Sequence, residues 1–331
     1  MNRIFNYKYN HKGDIVVFEL AIKNAKKRKV ICLAILSFFP LVVLASDVGN
    51  ILPYQTYRDF SENKGEFSPG TINIPLYNKN GTLEQVLDKA PMIDFSSVNI
   101  DGSPGVATLV NPQYIVSVKH NKGYKNPRFG TSTYTIVDRN NNPASKIDFH
   151  APRLNKIVTD VVPVEMTDAE TVNGIYKNKD RFPVFYRTGS GTQYIKEKSG
   201  TLRHLSGAYS YLTGGTVGNP SSYQKGEMIT VSSGQIYNKN NGPMASYGEA
   251  GDSGSPLFGW DTTKKQWVLV GALTAGNGAG GNANNWVVIP VDFVESKINE
   301  DTDPEVNNVF GLIEWTFDSA KGSGLLKQGD Q

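Results

Sequence analysis

The run Gly251-Asp-Ser-Gly-Ser-Pro256 constrains the fold more than any other stretch of the chain. The glycines on either side of Asp252 and Ser253 can adopt backbone angles that a Cβ atom disfavours, so the run predicts a tight turn that displays the Ser253 hydroxyl. In such a turn the backbone N–H groups of Gly251 and Ser253 converge on one point, where they can stabilise an oxyanion. The alternative is a surface turn of Gly, Ser and Pro that carries no chemistry.

A serine hydroxyl is a poor nucleophile at neutral pH, so this hypothesis requires a histidine to accept its proton. Among the four histidines, His120 has the most suitable setting, because it follows the apolar run 114–118 and precedes a turn pattern at 121–123. This setting places the imidazole at a strand end, beside a loop. An ordinary, half-exposed histidine is the alternative. His204 lacks such a setting, and we expect it to be structural.

The histidine in turn requires a carboxylate that fixes its tautomer, and three aspartates follow His120. Asp138 lies in a polar turn and is more typical of a solvated cap, whereas Asp160 lies inside a strand-like run. Asp148 enters a short segment that suits a carboxylate near a strand end. The residues alone make Asp148 only a modest favourite. If the segment is extended, His150 would share a strand face with Asp148, and the alternative to its acting as the base is that it is a hydrogen-bonded neighbour.

The sequence segments around these residues resemble those of the serine protease autotransporters of Enterobacteriaceae (peptidase family S6). The stretches that carry the resemblance are Asn111-Pro-Gln-Tyr-Ile-Val-Ser-Val-Lys-His-Asn121, Val137-Asp-Arg-Asn-Asn141, Ile147-Asp-Phe-His-Ala-Pro-Arg-Leu-Asn-Lys156, Gly189-Ser-Gly-Thr-Gln-Tyr194 and Gly248-Glu-Ala-Gly-Asp-Ser-Gly-Ser-Pro-Leu-Phe258. Within the family, residues 267–281 and the pair Asn285 and Trp286 are most similar to the haemoglobin protease or temperature-sensitive haemagglutinin type.

Carried over position by position, the family's catalytic triad falls on His120, Asp148 and Ser253, with the amides of Gly251 and Ser253 as the oxyanion hole. The resemblance thus implies a serine endopeptidase that acts through an acyl-enzyme. It also implies a chymotrypsin-like pair of six-stranded β-barrels with the triad between them. Proteins or peptides would be the substrates, with haemoglobin or mucin-type glycoproteins suggested. We expect no cofactor and a monomer.

The pattern of short apolar runs independently predicts an all-β barrel or sandwich. Gly, Asn and Pro turns separate the runs, and no helical periodicity is sustained. The strand-like runs cover residues 105–110, 114–118, 134–137, 156–164, 181–187, 228–232 and 266–273. We expect the protease domain to cover residues 46–300. From residue 301 to 331 the chain turns to short pieces punctuated by glycine, where the resembled family begins a right-handed parallel β-helix stalk.

Residues 1–45 are typical of an extended secretory signal peptide. An uncharged apolar stretch at 30–45 follows Lys26-Lys-Arg-Lys29 and ends at Ala45, a residue small enough for signal peptidase. A membrane anchor is disfavoured because the stretch falls short of about 20 residues and contains Pro40. We therefore expect export to the periplasm. The chain stops at Gln331, before the outer-membrane barrel of the resembled family, so surface display or secretion would require that missing part.

Charge and cysteine content narrow the classes of partner. The whole chain carries a net charge of +3, and residues 1–45 contribute +6, so the remaining chain carries about −3. A mildly acidic chain without a basic cluster argues against nucleic acid as a partner. The single cysteine, Cys32, lies in the leader, so we expect the mature protein to contain no disulfide. The ligand spacing of a structural zinc site is also absent from the sequence, and we expect no metal.

The residues that contact substrate are less well defined. The stretch 273–281 would form an edge for a bound peptide, with Leu273, Thr274, Ala275 and Gly276 nearest the nucleophile. Tyr247 would line the primary pocket. A flexible glycine-rich loop is the alternative for this stretch.

A second function remains open from the sequence. An adhesin, or a module that binds haem or glycans, could keep a protease-like fold without relying on catalysis. Exposed Tyr and Asn side chains in residues 209–223 would then make the contacts.

The predicted signal peptide at residues 1–45, called the leader below, determines where the mature protein should begin. If the chain is expressed with residues 1–45 in a Gram-negative host, the periplasmic product should begin at Ser46, because cleavage is expected after Ala45. N-terminal sequencing and intact mass would check this, and a product that retains residues 30–45 would contradict it.

Overall fold

Short strands joined by Gly, Asn and Pro turns make up most of the fold, which confirms the all-β prediction. A computed structural model describes residues 45–99, 103–121, 124–220, 228–232, 236–276 and 283–300, together with strands at 313–318 and 323–328. These residues all belong to one compact unit, Val42–Gln331. The predicted leader lies almost entirely outside the described residues.

The strands in chain order are β1 (Ala45–Gly49), β2 (Ile74–Tyr77), β3 (Leu83–Leu87), β4 (Thr108–Asn111), β5 (Tyr114–Val116), β6 (Arg128–Phe129), β7 (Ser132–Thr133), β8 (Ile136–Asp138), β9 (Arg153–Leu154), β10 (Phe185–Gly189), β11 (Thr192–Lys196), β12 (Leu202–Leu205), β13 (Thr213–Val217), β14 (Met228–Ser232), β15 (Ser246–Tyr247), β16 (Pro256–Asp261), β17 (Gln266–Gly276), β18 (Ala283–Val288), β19 (Ile313–Asp318) and β20 (Ser323–Gln328). Two α-helices accompany them, α1 (Tyr54–Ser61) and α2 (Val291–Glu300).

Six strands form the sheet that carries the nucleophile turn, in the order β13-β10-β16-β17-β18-β14. All of its pairings are antiparallel. Leu257, Val270 and Trp286 of this sheet pack with Phe182 in one core cluster, whereas its residues Phe258 and Leu269 belong to another. β16 follows the nucleophile turn directly, so the turn is anchored to the middle of this sheet.

A second sheet of four strands, in the order β4-β5-β9-β8, carries the histidine segment. Beyond β5, Ser117 and His150 exchange backbone hydrogen bonds of 3.2 Å and 3.0 Å. Because this pairing is antiparallel, the chain that leaves Ser117 runs beside the chain that precedes His150. Local strand pairing therefore brings His120 next to Asp148.

β1 occupies an interior position in a third sheet, ordered β12-β11-β1-β15. It runs parallel to β11 and antiparallel to β15. Its residues Ser46, Asp47 and Val48 are buried. The strand that follows the predicted leader is thus an integral part of the interior.

Aromatic side chains connect α1 to the strands. Phe60 lies 5.3 Å from Phe95 and 5.0 Å from Tyr186, measured between ring centroids, and Phe95 lies 5.9 Å from Phe258 of β16. The buried residues of α1 are Tyr57, Phe60 and Ser61, a spacing that places them on one helix face. Burying an aromatic side chain stabilises the fold by roughly 2–3 kcal/mol.

Several elements differ from the sequence prediction. The run 156–164 is irregular rather than a strand, and Asp160 instead accepts hydrogen bonds from the backbone and hydroxyl of Thr131. Both helices escaped prediction because each spans less than three turns, too short for a sustained period. The resemblance implied six-stranded barrels; near His120 the described strands form a sheet of four, β4-β5-β9-β8, and a separate pair, β6-β7.

Little of the predicted stalk at 301–331 is described. β19 and β20 form an antiparallel pair. The parallel β-helix itself stays a prediction. Among the residues that can be described, no helix combines the length and apolar character needed to cross a membrane.

Buried His150 predicts how stability responds to acid. Burial, with a further contribution from the charge of Arg139, lowers the pKa of His150 to about 3. The unfolded chain, with a pKa of about 6.5, then binds more protons than the folded chain, so stability falls as the pH drops from about 6.5 towards 3. Between pH 7 and pH 5 this group should cost about 2 kcal/mol of unfolding free energy. The substitution His150→Gln should abolish this loss of unfolding free energy between pH 7 and pH 5.

Urea unfolding of both proteins at pH 7 and pH 5 would measure the difference. His204→Gln is the matched control, because His204 is exposed on β12. An equal loss of stability in wild type and His150→Gln would contradict the prediction.

Candidate active site

The nucleophile turn adopts the backbone that its glycines predict. Gly251 has φ 93° and Gly254 has φ 85°, both in the left-handed region. A Cβ atom on Gly254 would lie 2.0 Å from Ser117 Oγ and 2.1 Å from the Val106 carbonyl oxygen. Position 254 therefore excludes any side chain, for reasons of both angle and space.

Backbone hydrogen bonds fasten this turn to both sides of the site. Val106 N–H donates to the Ser253 carbonyl at 2.8 Å, and Gly105 N–H donates to the Gly251 carbonyl at 2.9 Å. On the other side, Gly254 N–H donates to the Leu273 carbonyl of β17 at 2.7 Å. The Ser253 side chain is thus displayed from a turn that is bonded at both ends.

The structure brings His120, Asp148 and Ser253 together. His120 Nε2 lies 2.7 Å from Ser253 Oγ, and His120 Nδ1 lies 2.5 Å from Asp148 Oδ2. The backbone N–H of His120 also donates to Asp148 Oδ1 at 3.1 Å. Asp138 instead accepts a hydrogen bond from Asn140 N–H, which confirms the cap expected there. Of the three candidate aspartates, only Asp148 contacts the His120 ring among the described contacts.

Thr274, at the end of β17, fixes the carboxylate from the opposite side. Its hydroxyl donates to Asp148 Oδ2 at 2.6 Å. Partial burial opposes the ionisation of Asp148, but the hydrogen bonds from His120 and Thr274 outweigh it and lower the pKa of Asp148 to about 2. The carboxylate is therefore charged at neutral pH. Sequence reasoning placed Thr274 at the substrate edge and missed this contact.

The amides predicted to form an oxyanion hole are available. Asp252, Gly254 and Ser255 each donate a backbone hydrogen bond to a carbonyl. Within the described part of the chain, the N–H groups of Gly251 and Ser253 donate none. These two N–H groups lie beside the Ser253 hydroxyl and can donate hydrogen bonds to an oxygen atom of a bound ligand.

Of the other candidate substrate contacts, two lie inside the protein. Tyr247 is buried, and its hydroxyl donates to the Ala283 carbonyl at 2.6 Å. Leu273 is buried within the core of the six-stranded sheet. Ala275 and Gly276 are exposed at the end of β17. The exposed pair is therefore the part of this group that a substrate could reach without a rearrangement.

His150 and His204, the other histidines among the described residues, make no described hydrogen bond to the nucleophile. His150 is buried and bonds through Nε2 to the Tyr124 hydroxyl. His204 is exposed and its ring lies 5.3 Å from that of Tyr194. Over the described residues, no cluster of three or more His, Cys, Asp or Glu side chains could hold a metal ion.

A buried ion pair behind the turn was not predicted. Arg187 of β10 and Asp252 are both fully buried, with Arg187 Nη2 3.0 Å from Asp252 Oδ2. The two residues are 65 positions apart, and neither local pattern indicates the contact.

Comparison with known proteins places the chain in context. A family model described as peptidase S6, immunoglobulin A1 protease, matches residues 45–292. The chain is 44% identical to the serine protease SepA autotransporter of Shigella flexneri, over 100% of this chain and 25% of that protein. It is also 44% identical to the serine protease EatA of Escherichia coli O78:H11, over 99% of this chain and 25% of that protein.

A solved structure agrees with these matches. The crystal structure of the Haemophilus influenzae Hap adhesin superposes with a TM-score of 0.66 at 36% identity, covering 77% of this chain and 28% of that one. The chain thus spans about a quarter of the length of the curated relatives that it matches.

The Thr274 contact predicts a change in the titration of Asp148. Thr274→Val removes a hydrogen bond to a charged group, worth about 1.5 kcal/mol, so the pKa of Asp148 should rise from about 2 to about 3. Carboxyl ¹³C NMR as a function of pH would measure it. The matched control is Thr201→Val, in an exposed turn. An unchanged Asp148 titration in Thr274→Val would show that the bond does not contribute.

Proposed function

Since the chain belongs to the peptidase S6 family of serine proteases, as its motifs predict, we propose that it hydrolyses peptide bonds with Ser253 as the nucleophile. The observation that carries this proposal is the continuous line of contacts from Asp148 through His120 to the Ser253 hydroxyl, at 2.5 Å and 2.7 Å. Each distance lies within the range over which a proton can pass or a tautomer can be held.

In the proposed acylation, Ser253 Oγ attacks the scissile carbonyl carbon as His120 Nε2 takes the hydroxyl proton. Asp148 holds the ring through Nδ1 and stabilises the imidazolium that forms. The carbonyl oxygen becomes an oxyanion, to which the N–H groups of Gly251 and Ser253 donate. His120 then gives its proton to the leaving amine, and the C–N bond breaks.

Deacylation repeats these roles with water. His120 accepts a proton from a water molecule, whose oxygen attacks the acyl carbon bound to Ser253. The ester bond breaks, and the proton returns from His120 to Ser253 Oγ. No cofactor is required for either step.

We place this activity in residues 46–300, behind a leader at 1–45 and ahead of the first stalk residues at 301–331. The substrates would be proteins or peptides. Haemoglobin or a mucin-type glycoprotein is the finer suggestion from the motifs. The leader would deliver a monomer to the periplasm, and release at the cell surface would require a translocator of the autotransporter type.

The adhesin alternative has less support from the residues first assigned to it. Tyr209 and Tyr211 are half-buried, and the Arg58 guanidinium lies 3.9 Å from the centre of the Tyr211 ring. The Tyr209 ring packs beside Gly251. Tyr209 thus packs against the nucleophile turn and Tyr211 against α1, and residues 221–223 lie outside the described part of the chain.

A fluorophosphonate probe tests the proposed nucleophile without knowledge of the substrate. The purified protein should be labelled on Ser253, located by mass spectrometry, because the probe reacts with activated serines. Ser253→Ala should lose the label. His120→Ala should react at least about 10³-fold more slowly, because the general base is gone.

His204→Ala is the control for histidine replacement, since His204 lies on exposed β12, outside these contacts. It should label at the wild-type rate. A folded wild-type protein that takes no label at Ser253 would overturn the proposed function.

A further inference from the structure

His120 lies in a turn that follows Ser117 rather than in a strand, and its side chain is 48% exposed. The N–H of Asn121 closes this turn by donating to the Val118 carbonyl at 3.1 Å. A half-exposed ring gains little from packing, so its position depends on what holds the turn. Since a misplacement of about 1 Å can cost on the order of 10²-fold in rate, the groups that hold the turn matter to the chemistry.

The next residue, Asn121, reaches from this turn to the nucleophile. Asn121 is buried, with only 5% exposed. Its Nδ2 donates to the Ser253 carbonyl oxygen at 3.2 Å and to Ser117 Oγ at 3.4 Å. One side chain therefore connects the histidine turn, the residue that follows β5 and the backbone of the nucleophile.

Gly105 leaves the space that this amide occupies. Its φ of 100° lies in the left-handed region. A Cβ atom on Gly105 would lie 1.9 Å from Asn121 Nδ2 and 2.1 Å from Asn121 Oδ1. The backbone of Gly105 in turn donates to the Gly251 carbonyl of the nucleophile turn. The space between the histidine turn and the nucleophile turn is thus shaped to the Asn121 side chain.

Arg139 holds the backbone of the same residue. Its Nη1 donates to the Asn121 carbonyl at 3.2 Å, and its Nη2 donates to the Tyr124 carbonyl at 3.3 Å. The planar guanidinium presents its donors in a fixed fork, so the two carbonyl groups are held at a set spacing. Both the backbone and the side chain of Asn121 therefore have bonds that fix them.

We propose that Asn121 is a positioning residue that sets the distance between His120 Nε2 and Ser253 Oγ. The inference rests on the proposed function. Burying an amide is costly unless it is paired, and an apolar side chain would fill the same space at lower cost. Because Asn121 follows His120 directly, its bond to the Ser253 carbonyl joins the two residues whose side chains meet at 2.7 Å.

The nucleophile turn has separate anchors on the side of the six-stranded sheet. The Asp252 carboxylate accepts hydrogen bonds from Ser46 Oγ of β1 at 2.6 Å and from Glu249 N–H at 3.2 Å. Neither bond involves the histidine turn. Loss of the Asn121 amide should therefore leave the oxyanion donors of the turn in place.

The pairing of the histidine with its carboxylate is also held by other groups. His120 bonds to Asp148 through both Nδ1 and its backbone N–H, and Thr274 donates to the same carboxylate. The effect of losing the Asn121 amide should thus be confined to the contact between His120 and Ser253. The kinetic consequence is slower acylation with little change in the binding of substrate.

Burst kinetics with p-nitrophenyl acetate can test this without a known cleavage site. Ser253 Oγ forms an ester with the acetyl carbon, p-nitrophenolate leaves, and the serine proton passes to His120. The burst amplitude counts competent sites, and the burst rate measures acylation. Asn121→Ala removes the amide, and Asn121→Ser keeps a hydroxyl donor that is too short to make the same bond.

Asn63→Gly is the matched control. Asn63 Nδ2 donates to the backbone carbonyls of Phe67 at 3.0 Å and Ile93 at 2.7 Å, and its φ of 53° is one that glycine tolerates. Its described hydrogen bonds reach neither the histidine turn nor the nucleophile turn. The control thus removes an amide that holds backbone carbonyls, but does so away from the site.

We expect Asn121→Ala to slow the burst at least about 10-fold and Asn121→Ser about 3-fold or more, each with a burst amplitude near that of wild type. Asn63→Gly should stay within about 2-fold of the wild-type burst rate, even where urea unfolding shows that it is less stable.

NMR of the His120 ring gives a readout that a purely structural role would not move. The ¹⁵N shift of Nε2, taken at the alkaline end of a pH titration, reports the hydrogen bond from the Ser253 hydroxyl, and the Nδ1 proton reports the bond to Asp148. In Asn121→Ala the Nε2 resonance should move towards its position in Ser253→Ala. The Nδ1 proton resonance should stay in place.

A wild-type burst rate and an unmoved Nε2 resonance in folded Asn121→Ala would overturn the role of Asn121. If Asn121→Ala fails to fold by circular dichroism, Asn121→Ser decides, and a wild-type burst rate in that variant would overturn the proposal. A wild-type protein that forms no acetyl-Ser253 is a different result, which overturns the proposed function and this inference with it.

Discussion

The attachment of one turn to two sheets is the constraint on which the site depends. Ser253 lies in a turn whose carbonyl groups accept hydrogen bonds from Gly105 and Val106 on one side, and whose Gly254 N–H donates to β17 on the other. Close approach of the two sides at Gly254 leaves no space for a Cβ atom. Because a packed interior resists deformation, this contact fixes the distance between the nucleophile and His120.

The two carboxylates of the candidate site, Asp148 and Asp252, are stabilised by different groups. Asp148 is only 30% exposed and remains ionised because it accepts bonds from His120 and, across the interface, from Thr274. Asp252 is fully buried, and its charge is balanced by Arg187 of β10, in the six-stranded sheet that also carries the turn. One carboxylate faces the imidazole and the other faces the backbone of the turn. Two acids of the same type thus act on different groups because their surroundings differ.

Sequence patterns predicted those structural features that depend on a few neighbouring residues. The Gly251 to Pro256 turn, the strand at Met228–Ser232 and the all-β class follow from glycine angles and apolar alternation, which act over a few residues. The choice of Asp148 over Asp138 and Asp160 needed the family resemblance, because all three are plausible by local pattern. The contacts of Thr274 and Arg187 arise only when distant strands pack together. An eight-residue helix such as α1 is held by its buried aromatic face, which sequence periodicity barely registers.

The interior place of β1 has a consequence for the order in which the domain folds. Ala45 pairs with Thr192, and Asp47 pairs with Tyr247. The first described strand, β1, therefore pairs with strands that are synthesised much later. Contacts of such long sequence separation form slowly, because a large loop must close before they add stability. A chain that emerges N-terminus first would therefore keep β1 unpaired until most of the domain has followed. Assembly of the Ser253 turn, which bonds to Ser46, is then among the last events of folding.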